Sequence, residues 1–202
     1  QEYEGIGNAK VYGYDKWEYI HLDELYPFRV PYDMSKLVVF NFDIETKSDN
    51  GFPDPENANE EVISITASVG GTGGRYYIFG TKPYYGTHPK TQYVLCENEK
   101  DLLEKFLKLW KHCKPNIVTG WAITSYDIPY IVNRISKILG FEVAKTLSTW
   151  NIIRPKTVQS KKWTIKTFDI YGLDVLDYML LYEKYVGSNL ENNKLDTVAN
   201  HE

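Results

Sequence analysis

Leu37-Val38-Val39-Phe40-Asn41-Phe42-Asp43-Ile44-Glu45-Thr46 decides how this chain reads. Its first half is β-branched and aromatic with almost no polar interruption, the pattern of a strand buried on both faces. It ends in two carboxylates two residues apart. In an extended chain residues i and i+2 leave the same face, so Asp43 and Glu45 stand side by side at the strand's end. Like charges so placed repel, and a divalent cation is the usual way to offset them. The plainer reading is a strand surfacing into a solvated turn.

Outward from this strand, 47–60 is a polar loop containing Gly51-Phe52-Pro53-Asp54-Pro55. Phe52, between Gly and Pro near the acids, is either a substrate contact or a ring packed on its own loop. Strands are predicted at 61–69 and 75–79, and the glycines between them make a hairpin turn. A phosphate loop needs Gly-Lys-Ser/Thr opening a helix, whereas Arg75-Tyr76-Tyr77 opens a strand. Three consecutive antiparallel strands result, with a short strand at 92–95 after them. A helix follows over Glu99–Cys113, with Asn98 as its cap and Leu102, Leu103, Phe106, Leu107, Trp110 and Cys113 on one face. A buried strand at 116–121 leads to a second helix over 128–139, stopped by Gly140. Together these predict an α/β fold, a mixed and mostly antiparallel sheet with 37–43 at its centre and helices against it.

The flanks are less regular. Residues 1–36 are rich in Tyr, Asp and Glu, with short strands expected at 9–14 and 17–21 and a linker marked by Pro27 and Pro31. They read as the tail of a preceding domain, with the main domain running from 37 to 202. Near the other end, 151–168 holds Arg154, Lys156, Lys161, Lys162 and Lys166 and no acid, interleaved with Trp163, Ile165 and Phe168. This predicts a basic β-hairpin turning at Gln159-Ser160. On a chain of net charge −4, such a ribbon is a local candidate for phosphate contact; a solvated face is the alternative. A strand is expected at 172–177, then a helical segment with Leu180, Leu181 and Tyr185 inward.

Composition narrows the classes further. The 202 residues are 43% hydrophobic and 25% charged, ordinary for a globular domain. No apolar run approaches a membrane span and no signal peptide is visible, so a membrane partner is not expected. Two cysteines, Cys96 and Cys113, predict a reducing, cytoplasmic setting without a disulfide framework. The four histidines lack metal-ligand spacing. A third carboxylate, Asp127, opens the second helix. It reads either as an N-cap or as a group pointing back toward Asp43 and Glu45.

Two motifs carry a family resemblance. Phe42-Asp43-Ile44-Glu45-Thr46 resembles the first exonuclease motif of family B DNA polymerases, and 119–131 (Thr-Gly-Trp-Ala-Ile-Thr-Ser-Tyr-Asp-Ile-Pro-Tyr-Ile) resembles the second. The loop at 51–55 and the segment 172–178 are similar too, most of all to polymerases of large tailed phages. The resemblance implies a ribonuclease H-like mixed sheet flanked by helices. It also implies a 3′→5′ proofreading exonuclease that hydrolyses the primer 3′ end by a two-metal mechanism. Asp43, Glu45 and Asp127 would be its catalytic, metal-binding carboxylates, with Mg2+ as the ion and Mn2+ able to substitute. Implied partners are single-stranded DNA, primer 3′ ends and the remaining polymerase domains, in the cytoplasm of an infected host cell. The hairpin residues Arg154, Lys156, Lys161, Lys162, Trp163 and Lys166 would hold the strand, and Phe52 would stack on its last base.

Two departures accompany the resemblance. Most relatives have Asn after Gly-Trp, where this chain has Ala122. The family's third motif, Tyr with Asp four residues on, is absent before Glu202, and with it a fourth carboxylate and a water-orienting tyrosine. Weak activity is therefore expected of these 202 residues alone. The competing hypothesis is a module of the same fold that binds single-stranded DNA or braces the polymerase without catalysis.

Overall fold

The computed structural model describes residues 2–4, 10–12, 17–29, 31, 33–49, 51–70, 74–159, 164–186 and 191–202. Two compact units emerge, 1–36 and 37–202. In the first, β1 (Glu2–Glu4) pairs antiparallel with β2 (Lys10–Tyr12), and α1 (Trp17–Leu25) follows. The expected strand at 17–21 is thus a helix. In its sequence, Trp-Glu-Tyr-Ile-His-Leu-Asp-Glu-Leu, the two Glu and two Leu residues favour helix and outweigh the β-favouring Trp17, Tyr19 and Ile20.

The second unit is built on a six-stranded sheet in the order β10-β7-β3-β4-β5-β6. These strands are β3 (Val39–Thr46), β4 (Val62–Val69), β5 (Arg75–Gly80), β6 (Thr91–Leu95), β7 (Ile117–Gly120) and β10 (Asp174–Asp177). The carboxylate-bearing strand β3 is internal, as its apolar run predicts. β3–β4 and β4–β5 are antiparallel, but β5–β6, β3–β7 and β7–β10 are parallel. The sheet is mixed rather than mostly antiparallel. Its two hairpin links are antiparallel, while β7 and β10 are reached through helix-containing crossovers that return the chain in the same direction. With its flanking helices this is the ribonuclease H-like arrangement.

α2 (Glu99–Cys113) packs on β4 and β5. Asn98 caps it, accepting from the Asp101 amide at 3.0 Å. Its inward Phe106 and Trp110 meet Phe40 and Phe42 of β3 in an edge-and-tilt aromatic cluster with centroids 5.1–6.3 Å apart. α3 (Asp127–Leu139) buries Ile128, Ile131, Val132 and Ile135, and the chain turns at Gly140 with φ +99. A short helix α4 (Phe141–Ala144) follows. A hairpin forms from β8 (Ile153–Gln159) and β9 (Thr164–Ile170); Gln159, expected in its turn, is the last paired residue of β8, and Ser160 lies outside the described residues. α5 (Tyr178–Tyr185) and α6 (Leu195–His201) close the unit. Tyr185, expected inward, is 73% exposed; Lys184 lies over its ring at 5.2 Å. Leu180 and Leu181 are half-buried.

Candidate metal centre

Three parallel strands, β3, β7 and β10, lie side by side, β7 pairing with Val39–Asn41 of β3 on one edge and with all of β10 on the other. β7 ends at Gly120 and Asp177, the last residue of β10, pairs with it. A Cβ on Gly120 would lie 2.9 Å from the Phe42 carbonyl oxygen and 3.1 Å from the Ile123 side chain, so only glycine lets the chain leave the sheet this close to β3. It then makes a tight turn, 121–126, before α3. The Ala122 carbonyl accepts from the Ser125 amide at 3.0 Å, the Tyr126 amide at 3.2 Å and the Ser125 hydroxyl at 2.9 Å. Ala122 itself sits at φ +56, a region that asparagine tolerates better than alanine.

This turn delivers Asp127 onto β3. Tyr126, at the cap position of α3, makes no side-chain cap, and the Asp127 carboxyl is not confined to its own backbone amide. Its Oδ1 accepts from the Ile44 amide at 3.1 Å, between the two acids of the central strand. This hydrogen bond fits the reading that turns Asp127 toward β3, where Asp43 and Glu45 flank Ile44. Asp43 and Glu45 lie on the exposed face of β3, alternating with buried Phe42 and Ile44, whereas Asp127 is only 3% exposed.

The electrostatics follow from that placement. Burial first, and the neighbouring Asp43 charge second, push the Asp127 carboxyl up to about 8 against the pull of the Ile44 amide; Asp177 adds a smaller rise. The Asp43 carboxyl is raised by its own partial burial and then by Glu45. Asp43 touches solvent, yet enough protein surrounds its carboxyl to disfavour charge there. Tyr126 responds to the same field. Burial raises its hydroxyl, a hydrogen bond with Thr46 Oγ1 at 2.9 Å opposes this, and Asp127, Glu45 and Asp43 all add to the rise.

Among the described residues no ion pair reaches Asp43, Glu45 or Asp127. Their charge is left to be balanced by a proton or a cation, and an all-oxygen donor set suits a hard divalent ion. Among the described residues, no three Asp, Glu, His or Cys side chains are drawn together closely enough to hold a metal as they stand.

The expected DNA contacts fall into three groups. Phe52 is 85% exposed, and its ring lies 5.2 Å from that of Tyr126, which in turn lies 5.5 Å from that of Tyr130. It rests on the residue preceding Asp127 rather than on its own loop. On the hairpin, Arg154 lies over the Tyr171 ring at 5.2 Å. Lys156 pairs with Asp169 at 3.0 Å and Lys166 with Glu56 at 2.8 Å. The strands are thus less bare a positive ribbon than the sequence suggests, since these lysines are partnered by acids outside 151–168. Both pairs are solvent-exposed and worth little, so phosphate can replace the carboxylates. Lys161, Lys162 and Trp163 lie outside the described residues.

Behind Phe52 lies a buried clamp that the sequence does not announce. Arg134 of α3 forks onto Glu99 of α2 at 2.6 and 2.7 Å and donates to the carbonyls of Ala58 and Asn59 at 3.0 and 2.8 Å. Glu99 Oε1 also accepts from the Val62 amide at 2.7 Å. Tyr130 and Asn133 bind the Glu60 and Pro55 carbonyls, and Lys137 reaches the Asn59 side chain. The spacing 130, 133, 134, 137 is one helical stripe, and it is the only signal of the clamp that the sequence carries.

Residues 17–198 match the family described as DNA polymerase family B, exonuclease domain. Over 98% of its length the chain is 32% identical to the DNA-directed DNA polymerase of Escherichia phage RB69 and 30% identical to that of Enterobacteria phage T4. It spans 25% of the length of each. Over 81% of the chain it is 28% identical to the DNA polymerase catalytic subunit of Saimiriine herpesvirus 2 (strain 11), spanning 17% of that protein.

Proposed function

Since the chain belongs to the exonuclease domain family of family B DNA polymerases, we propose that it removes nucleotides from the 3′ end of single-stranded DNA as the proofreading module of a polymerase. The observation that supports this reading best is the Asp127 carboxylate held on the Ile44 amide, between Asp43 and Glu45. In this proposal Asp43, Glu45 and Asp127 hold two magnesium ions, replaceable by manganese. Bound there, the metal supplies a water of lowered pKa and stabilisation of the leaving 3′ oxygen.

The chain's own residues do the rest. Phe52, braced on Tyr126, stacks on the terminal base and sets the last phosphodiester beside the carboxylates. Arg154, Lys156 and Lys166, with Lys161, Lys162 and Trp163 from the segment linking the two hairpin strands, hold the DNA behind it through its phosphates. Such contacts are independent of sequence, which suits an activity that must remove any mispaired base.

The test follows single-stranded DNA labelled at either end, in magnesium, together with manganese binding by titration. In a chain extended through the third motif, shortening from the 3′ end is expected, and Asp43→Ala is expected to slow it on the order of a thousandfold or more, toward the weak activity expected of these 202 residues alone. Manganese binding should weaken in Asp43→Ala and in Asp127→Ala. Degradation from the 5′ end, or manganese binding indifferent to both substitutions, would overturn the proposal. DNA binding without cleavage or metal dependence would favour a non-catalytic module.

A further inference from the structure

Asp177 is a buried carboxylate, 5% exposed, that the mechanism above does not use. It ends β10, paired with Gly120 at the end of β7, so it lies beside the point where the chain leaves the sheet for the Asp127 turn. Its two oxygens face different elements. Oδ1 accepts from the Met179 and Leu180 amides at 3.0 and 3.4 Å and caps α5. Oδ2 accepts from the Thr124 amide at 3.0 Å, in the middle of that turn and three residues before Asp127. A helix cap needs one oxygen. The second is spent on a backbone amide of another element, 53 residues away in sequence.

We propose that Asp177 is a positioning residue: its carboxylate bolts the 121–126 turn to the end of β10 and so fixes where Asp127 presents its oxygens to a divalent cation. Among the described residues the turn's other backbone hydrogen bonds are internal or run into α3, through the Ala122 and Ile123 carbonyls; two side chains also reach out, the Trp121 ring nitrogen donating to the Asn193 carbonyl at 3.0 Å and the Tyr126 hydroxyl bonding Thr46 Oγ1 of β3 at 2.9 Å. Asp177 is the tie that anchors the turn's backbone to the sheet. In this role it orients Asp127 and is not itself a ligand, both of its oxygens being engaged by backbone amides. Removing a partner that orients a metal-binding group typically weakens the metal by about ten- to a hundredfold.

This inference rests on the proposed metal site, so its test carries an arm that does not. Three variants separate the roles. Asp177→Ser keeps a good cap for α5 but is too short to reach Thr124 as well. Asp177→Glu keeps the charge but moves it. Asp174→Ser removes an exposed charge from the same strand as a control. Amide exchange at 124–127 is measured without metal, and manganese affinity by titration. Asp177→Ser and Asp177→Glu should each speed exchange at Thr124 by about tenfold or more and weaken manganese by about tenfold. Asp174→Ser should change neither.

Unchanged exchange at Thr124 in Asp177→Ser overturns the proposal. So does manganese affinity that stays at the wild-type level while only the melting temperature falls, because Asp177 is then merely a cap. Recovery of affinity in Asp177→Glu but not in Asp177→Ser would make charge, not geometry, the cause, and would overturn it too. Complete loss of binding, as expected for Asp43→Ala, would make Asp177 a ligand and not a positioning residue. If the wild type binds no manganese, the proposed function fails, and the exchange arm alone decides whether Asp177 holds the turn.

Discussion

Asp127 carries two demands at once: it is buried like a core residue, yet its side chain is a carboxyl group. Its carboxyl is pushed up to about 8 from an ordinary value of 3.8. Without metal, the folded chain therefore keeps a proton there that the unfolded chain releases near pH 4. Between those values the unfolded state binds fewer protons, so stability is fully present below about pH 4 and is lost as pH rises toward 8. The raised Asp43 carboxyl adds to the same trend. Asp127→Asn should remove most of this slope, leaving the metal-free variant more stable than wild type at pH 8 by on the order of a few kcal/mol. Urea unfolding in a chelator at about pH 4.5, 6 and 8, the window between the two values, measures it. Parallel pH profiles for the two chains would contradict it. Asp43 and Glu45 are legible in the sequence because strand alternation fixes their common face. The direction of Asp127 is not, because a helix's first residue can cap its own turn or face away, and only the fold supplies the Ile44 amide.

Elements that support the site are harder to read than the site itself. Glu99 reads as an ordinary acid in a helix's first turn and Arg134 as the polar side of another; nothing local says that they meet. In the structure they join α2, α3 and the loop behind Phe52, with both side chains about nine-tenths buried. Glu99→Ala leaves the Arg134 guanidinium buried without its carboxylate and should cost about 3–5 kcal/mol in denaturant unfolding. Glu99→Leu with Arg134→Met removes both charges and should cost far less. Equal losses in the two variants would mean that the pair matters only through its volume. The hairpin is legible in outline, from cations interleaved with apolar residues, but its partners Glu56 and Asp169 are not. Lys161→Ala with Lys162→Ala should weaken single-stranded DNA of any sequence about equally. It should also flatten the log–log salt dependence by roughly 0.7 for each phosphate no longer neutralised. An unchanged slope would return that segment to a solvated turn.

At the scale of the whole molecule, the internal strand and its hairpin-linked neighbours are readable from sequence, while antiparallel pairs are overcounted. Hairpins announce themselves through short turns such as the glycines after Val69, whereas parallel pairing depends on where a crossover lands. The site depends on the parallel half: Asp43 on β3, the chain's exit at Gly120 and Asp177 on β10 come together from three distant parts of the sequence. That order has a consequence during synthesis on the ribosome. The polypeptide emerges from its amino end, so β3, β4, β5 and β7 are available long before residue 174 is. Until then β7 is an open sheet edge, and the turn bearing Asp127 has no Asp177 to hold it. Nascent chains stalled with residues up to 170 outside the exit tunnel should be cut readily by protease within 121–126, and those with residues up to 186 outside should resist. Equal resistance at both lengths would show that the turn forms without β10. The fold thus sets a birth order: the acids are made early, and the strand that ties down the Asp127 turn is born well after them.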